Sequence, residues 1–292
     1  MKLANVAGRL SVVLEDGVVD VEQASNGRFS MDPQACFERW EELALWASGS
    51  SLSAVAPFDS SSLGAPAPRP RQVFALGLNY GDHAREVGAL STKPAPVFTK
   101  FPSCIAAPFA DLVLPSEFVD WEVELVLVVG REAWEVDESK AWSYVAGLSV
   151  GQDITERHVQ VEGAAPQFCL GKSFPGFGPI GPYIVTLDEV DTPDDLALST
   201  VLNGDVMQRG RTSQMLFGVP ETLSRLSRVC PLWPGDLIFT GTPSGIGNAR
   251  TPKVFLRPGD DLVSSIESVG TIQQRCVNRS RALRPLPLSR RM

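Results

Sequence analysis

Histidine is nearly absent from this chain: His83 and His158 are the only two in 292 residues. A zinc centre built on several imidazoles is thereby excluded. The cysteines suit neither metal nor cross-linking. Cys36, Cys104, Cys169, Cys230 and Cys276 are odd in number, scattered, and nowhere spaced C-x-x-C. Buried reduced thiols are expected rather than a disulfide framework. A basic excess is missing too. The 26 Lys and Arg stand against 34 Asp and Glu, a formal charge of −8, which argues against a nucleic-acid partner. No stretch approaches the roughly 18 apolar residues that cross a bilayer. Met1 to Leu14 holds no apolar block of signal-peptide length. A cytoplasmic protein without membrane contact is expected.

What is present is an ordinary globular composition, 43% hydrophobic and 21% charged. The length suits one large domain, or one large and one small. Arg9 to Ala24 reads as a hairpin about the turn pair Asp16-Gly17. Pro33 to Ser48 reads as a helix with Phe37, Trp40, Leu43 and Leu45 mostly on one side. Ala54 to Arg71, rich in Ala, Ser and Pro, reads as a linker or an extended surface strap. Residues 1–70 are therefore expected to form a small N-terminal domain with its linker, 71–277 the main domain, and 278–292 a flexible basic tail. The main domain is expected to carry strands at Trp121 to Val129, Tyr183 to Thr186, Leu196 to Leu202, Leu237 to Thr240 and Leu262 to Ile266. Pro-Gly-Asp turns at Pro234 and Pro258 each precede an apolar run. Asp137 and Pro220 suit the starts of short helices. Regular helices between strands are lacking, which disfavours a Rossmann or barrel fold. The expected class is α+β, mainly β: a mixed roll or sandwich with few short helices.

The chemistry sits in a few stretches. In "DWEVELVLVV", Glu122 and Glu124 are two apart, so a strand points both to one face while Val123 and Leu125 point to the other. Adjacent carboxylates repel, and protonation, basic partners or a cation relieve that. A solvated strand edge would look the same. Asp153 follows a second apolar stretch; as a helix N-cap it needs no metal, and as a third carboxylate it completes a site for Mg²⁺ or Mn²⁺. In "GLNYGDHAREVG", Asp82 suits a helix cap and Gly88 a helix stop. His83 and Glu86 then share a face, either as a surface ion pair or as a carboxylate-oriented base. "FTGTPSGIG" offers glycines for close backbone approach to a ligand but lacks the Lys-Ser/Thr ending of a nucleotide loop.

Taken in order, eight stretches resemble the fumarylacetoacetate hydrolase family: "GLNYGDHAREVG", "PAPVFTKFPSCI", "DWEVELVLVVG", "VAGLSVGQDITERHVQ", "GKSFPGFGPIGPYIV", "LNGDVMQRGRTSQMLF", "PGDLIFTGTPSGIG" and "LRPGDDLVSSIESVGTI". They span Val73 to Ile272. The resemblance implies a mixed β-sandwich roll preceded by a small N-terminal domain and assembled as a homodimer. It implies metal ligands at Glu122, Glu124 and Asp153, for Mg²⁺ or Mn²⁺, with Ca²⁺ as a substitute in crystals. It implies catalytic roles for His83, Glu86 and Lys172, and substrate contacts from Lys100, Arg157, Gln160, Gln208, Gly241 and Thr242. Three positions depart from the family pattern: Gln152 where Asn is common, Glu156 where a small residue is usual, and Gln167-Phe168 where Trp is frequent.

The implied activity is hydrolysis of a carbon–carbon bond in an acylpyruvate-like acid, of the kind met in aromatic catabolism. His83, oriented by Glu86, would activate water, while the cation steadies the pyruvate enolate and Lys172 or Gln208 the oxyanion. Decarboxylation or isomerisation of a β-keto or 2-hydroxydienoate acid is the alternative from the same constellation. A non-catalytic, ligand-binding member of the fold is the third.

Overall fold

The computed structural model describes residues 1–54, 57–89 and 95–278. The basic tail, from residue 279 onward, lies outside the described residues.

The middle of the molecule is the strand Val123–Val129, buried along its whole length. Val123, Leu125, Leu127 and Val129 join one apolar core, and Val126 and Val128 join another on the opposite face. A strand covered on both faces must be apolar on both, which explains why its alternation fades after Glu124. Among the described residues eleven strands form the main sheet. It runs from Gly17–Asp20 through Arg9–Leu14, Lys2–Val6, Gly178–Val185, Val145–Gln152, Val123–Val129, Leu237–Phe239 and Val73–Leu76 to Val97–Thr99. A five-stranded sheet (Asp205–Arg211, Ala197–Leu202, Asp261–Ile266, Gly270–Asn278, Leu112–Leu114) packs on one side. Leu198, Ile266 and Ile272 there meet Leu125 and Leu127, together with Leu223 and Leu226 from the helix Val219–Ser227. Parallel and antiparallel pairs occur together: Leu237–Phe239 runs parallel to Val73–Leu76 but antiparallel to Val123–Val129. The mixed, mainly β class is thus observed.

Both Pro-Gly-Asp turns reverse the chain into strands, with Gly235 at φ 88° and Gly259 at φ 99°, where a side chain would be strained. Asp137 caps its short helix through Ser139 N at 2.9 Å. Three local expectations change. The hairpin's second strand stops at Asp20, and residues Val21–Ala24 turn into helix because the Asp20 carboxylate caps Gln23 N. Leu45 faces solvent at 74% exposure, so the apolar face of the helix Trp40–Gly49 is Trp40 and Leu43. The Ala/Pro/Ser strap is no loose linker: Leu63–Gly64 pairs with Lys2–Val6, and Ala67 is fully buried. Lys2–Val6 pairs in turn with Gly178–Val185, so the first strands of the chain extend the main sheet.

Candidate active site

The register of two central strands builds the acidic cluster. Glu124 stands opposite Gly151 and Val123 opposite Gln152. The next residue, Asp153, donates its N–H to the carbonyl of Glu122 at 2.9 Å. All three carboxylates are buried, and each offers an oxygen within 4.8 Å of the others. The N-cap reading of Asp153 falls away, since Glu156 caps the next helix through Val159 N at 2.6 Å.

Like charges this close need compensation, and the chain supplies part of it. Lys172 Nζ donates to Glu122 Oε2 at 2.8 Å, Asp153 Oδ2 at 2.5 Å and Thr155 Oγ1 at 2.9 Å. Burial alone would lower the Lys172 ammonium, but Asp153 and Glu122 outweigh it and hold the pKa above the usual lysine value, so the group stays charged. Burial would likewise raise the Glu122 carboxyl, yet Lys172 and Arg157 bring it down to about 2. Glu124 differs. Burial, then the charges of Asp153 and Glu122, push it well above the carboxylate range. Its one hydrogen-bond donor among the described residues is Gly241 N at 2.7 Å. Three hard oxygen donors, one of them lacking a cation of its own, fit Mg²⁺ or Mn²⁺ and not a soft metal.

The stretch that carries His83 folds as the short helix Gly81–Glu86. Tyr80, not Asp82, occupies the N-cap, and Asp82 pairs with Arg85 in the first turn. Gly88 ends the segment at φ 72°. His83 Nδ1 and Glu86 Oε1 are 2.8 Å apart, and Glu86 Oε2 accepts the N–H of Gly245 at 2.9 Å. With Nδ1 engaged, Nε2 is the ring atom left for the cavity that His83 lines. The second histidine, His158, stacks on Phe118 instead.

That cavity has a volume of about 240 Å³. His83, Glu122, Lys172, Arg157, Gln160 and Thr242 line it. Its apolar wall includes Phe98 and Phe168, in edge contact at 5.7 Å. Phe168 therefore stands in the wall at the position where Trp is frequent.

Three expected substrate contacts lie elsewhere. Lys100 is fully buried behind Asp153: its Nζ donates to Asp153 Oδ1 at 2.7 Å, Phe177 O at 3.1 Å and the carbonyl of Lys172. An ammonium has three donors, and all are engaged. Gln208 is saturated as well. Its oxygen accepts from Val123 N and Thr200 Oγ1, and its amide donates to Thr242 Oγ1 and Pro243 O. It pins the loop after Phe239 to the metal-ligand strand and has no donor left for an oxyanion. Gly241 holds Glu124 with its N–H, as above. Sequence reasoning misplaced all three because their partners lie on distant segments. The departures have structural causes: Gln152 accepts Glu122 N at 2.8 Å and donates to Ser264 at 2.7 Å, bridging both sheets, while Glu156 ties its helix to Ser116 at 2.6 Å.

Replacing Lys100 by Met is expected to destabilise the metal-free protein by about 3–5 kcal/mol, the usual loss on breaking a buried pair. Saturating Mg²⁺ should recover part of it by neutralising Asp153. Urea melts with EDTA and with Mg²⁺ measure both. An unchanged midpoint in EDTA would leave Lys100 free for another role.

Residues 72–277 match the family model described as fumarylacetoacetate hydrolase C-terminal. The chain belongs to the fumarylacetoacetate hydrolase family. It is 41% identical over 215 residues to the mitochondrial oxaloacetate tautomerase FAHD2A of Bos taurus, covering 73% of this chain and 68% of that one. A crystal structure from Mycobacterium smegmatis superposes with TM-score 0.92 at 50% identity, covering 96% of this chain and 100% of the other. The maleylpyruvate hydrolase of Sphingobium sp. SYK-6, solved with manganese(II) and pyruvate, superposes with TM-score 0.77 at 27% identity, covering 95% and 99%. The chain is thus an enzyme of this family with a divalent-metal site. No helix among the described residues is long and apolar enough to cross a membrane.

Proposed function

We propose that this enzyme enolises a small 2-oxo acid, and that its reaction is the keto–enol interconversion of a four-carbon oxo diacid such as oxaloacetate. The observation that carries the reading is the placement of His83 on one cavity of about 240 Å³ with Glu122, which is clustered with Glu124 and Asp153. Pockets for drug-sized ligands run from about 300 Å³ upward, so a short acid suits this one. The similarity to oxaloacetate tautomerases supports the same choice over the longer acylpyruvates.

Glu122, Glu124 and Asp153 would hold Mg²⁺ or Mn²⁺. Bound there, the ion would supply Lewis-acid polarisation of the oxo acid. The remaining work belongs to side chains. His83 Nε2 takes the proton from the carbon next to the oxo group, and Glu86 stabilises the imidazolium through Nδ1. Returned to oxygen, that proton completes the enol. Lys172, whose three donors are held by Glu122, Asp153 and Thr155, would oppose the negative charge that develops on the 2-oxo oxygen by the field of its ammonium and not by a hydrogen bond. Arg157 and Gln160 orient the acid, and the apolar wall keeps bulk water from the transferred proton.

A second reading, carbon–carbon hydrolysis of an acylpyruvate, draws on the His83–Glu86 pair, which is equally suited to activating water, and on the likeness to a hydrolase solved with manganese and pyruvate. One experiment separates the readings. Enol-oxaloacetate and an acylpyruvate are each supplied with Mg²⁺ or Mn²⁺ and followed by ¹³C NMR. Accelerated enol-to-keto conversion with every carbon retained is the expected result. A new carboxylic acid released from the acylpyruvate, with the enol left at its spontaneous rate, would sink the tautomerase reading. Released ¹³CO₂ would replace it with decarboxylation.

A further inference from the structure

Asp120 precedes the metal-ligand pair and was not singled out by motif or spacing. It is fully buried, and its carboxylate accepts five hydrogen bonds. Three come from backbone N–H groups, of Trp121, Gly247 and Asn248, each at 2.8 Å. The other two come from one edge of the Arg157 guanidinium, Nε at 2.9 Å and Nη2 at 2.7 Å, both to Oδ2. The backbone bonds fix Asp120 independently of Arg157, so the arginine adapts to the aspartate. Gly247 is part of that anchor. A Cβ there would lie 1.9 Å from Val254 O and 2.7 Å from Asp120 Oδ1, so glycine is what lets the loop approach. Trp121 ties the same loop, its indole donating to Gly245 O at 3.2 Å.

The consequence falls on Glu122. Arg157 reaches it by Nη1 alone, 2.8 Å from Oε1, and Nη1 also meets Gln160 Oε1 at 3.1 Å. An arginine beside a carboxylate ordinarily pairs as a fork, two parallel N–H bonds to two oxygens. Here Nε and Nη2 are committed to Asp120. The fork cannot close on Glu122 while they remain so.

We propose that Asp120 is a positioning residue for this centre: by holding one edge of Arg157 it leaves Glu122 available to the divalent cation and aims one Arg157 N–H at the cavity. This rests on the reading of Glu122, Glu124 and Asp153 as metal ligands. Its readout is therefore metal binding to the metal-free protein, by titration calorimetry with Mg²⁺ and Mn²⁺, beside steady-state kinetics. Asp120→Asn should weaken metal binding about 10- to 100-fold, the scale on which partners of metal ligands act, and should raise KM more than it lowers kcat. Adding Arg157→Met should restore metal affinity but not KM, because the competitor for Glu122 is then gone. Restoration separates positioning from a structural defect, which removing a second partner would worsen. Arg157→Met alone should bind metal as tightly as the unaltered protein, or more tightly. Metal affinity unchanged in Asp120→Asn, or lost in Arg157→Met, overturns the proposal. If Asp120→Asn fails to fold, Arg157→Met decides alone. If the unaltered protein binds neither ion, the metal reading itself fails and takes this one with it, a result visible before any variant is compared.

Discussion

Glu124→Gln is expected to remove metal-dependent turnover while leaving the fold at least as stable in the absence of metal. Glutamine retains the size and an oxygen for the Gly241 N–H, now 2.7 Å from Glu124 Oε2. It lacks the charge that makes the group a cation ligand. Lewis-acid stabilisation of a developing oxyanion is worth several kcal/mol, and about 4 kcal/mol corresponds to roughly a 10³-fold loss of kcat/KM. The stability side has the opposite sign. Burial, with Asp153 and Glu122 beside it, raises the Glu124 carboxyl well above its ordinary value. A carboxyl raised on folding reduces stability once the pH passes its unfolded value of about 4.3. Glutamine carries no such penalty, so at neutral pH in EDTA the variant should melt no lower than the parent. With Mg²⁺ the order should reverse, since the parent alone gains from binding. Calorimetric melts in both conditions, with turnover alongside, check the pair of outcomes. Retained metal-dependent activity, or a melt depressed in EDTA, would count against Glu124 as a ligand.

Glu86→Gln should come close to His83→Ala in its effect on turnover, about 10²- to 10⁴-fold, the usual contribution of a positioned base. The reason is the tautomer. Glu86 presents a carboxylate oxygen to His83 Nδ1 at 2.8 Å, a partner that favours the tautomer with its N–H at Nδ1 and the Nε2 lone pair toward the cavity. Glu86 Oε2 is meanwhile fixed by Gly245 N at 2.9 Å. A glutamine would keep its oxygen on Gly245 and turn its NH₂ toward Nδ1. The imidazole would then carry its proton on Nε2, facing the substrate as a donor. The helix would stay docked while the base was lost. The ¹⁵N chemical shifts of the imidazole, compared with those of the parent, report the tautomer directly. A variant with the parent's tautomer and the parent's rate would show that Glu86 does no more than latch the helix.

Both predictions draw on features of unequal visibility in the sequence. The Glu122 and Glu124 pair was legible because side chains on a strand alternate, a rule that needs no knowledge of the fold. His83 and Glu86 were legible for the same kind of reason, since residues three apart on a helix meet. Turn chemistry placed Gly235, Gly259, the cap at Asp137 and the first-turn proline Pro220 where they are found. Local patterns misled where a competing local bond won. Asp20 capped a helical turn that had read as strand, and Asp82 paired with Arg85 inside the first turn instead of capping it.

The sequence by itself placed Glu122 with Glu124 and His83 with Glu86, two carboxylates on one strand face and an imidazole beside a carboxylate on one helix face, and the order of its motifs pointed to the family. The tertiary structure decided which side chains reach the cavity and which stand behind it. Lys100 and Asp153 are 53 positions apart, Val123 and Gln208 are 85, and Asp120 and Asn248 are 128. No periodicity in a chain encodes contacts at such separations, because they are set by strand register and sheet packing. Lys100 and Gln208 therefore read as substrate contacts until their hydrogen-bonding groups proved fully engaged, and Asp120 read as nothing until five donors converged on it.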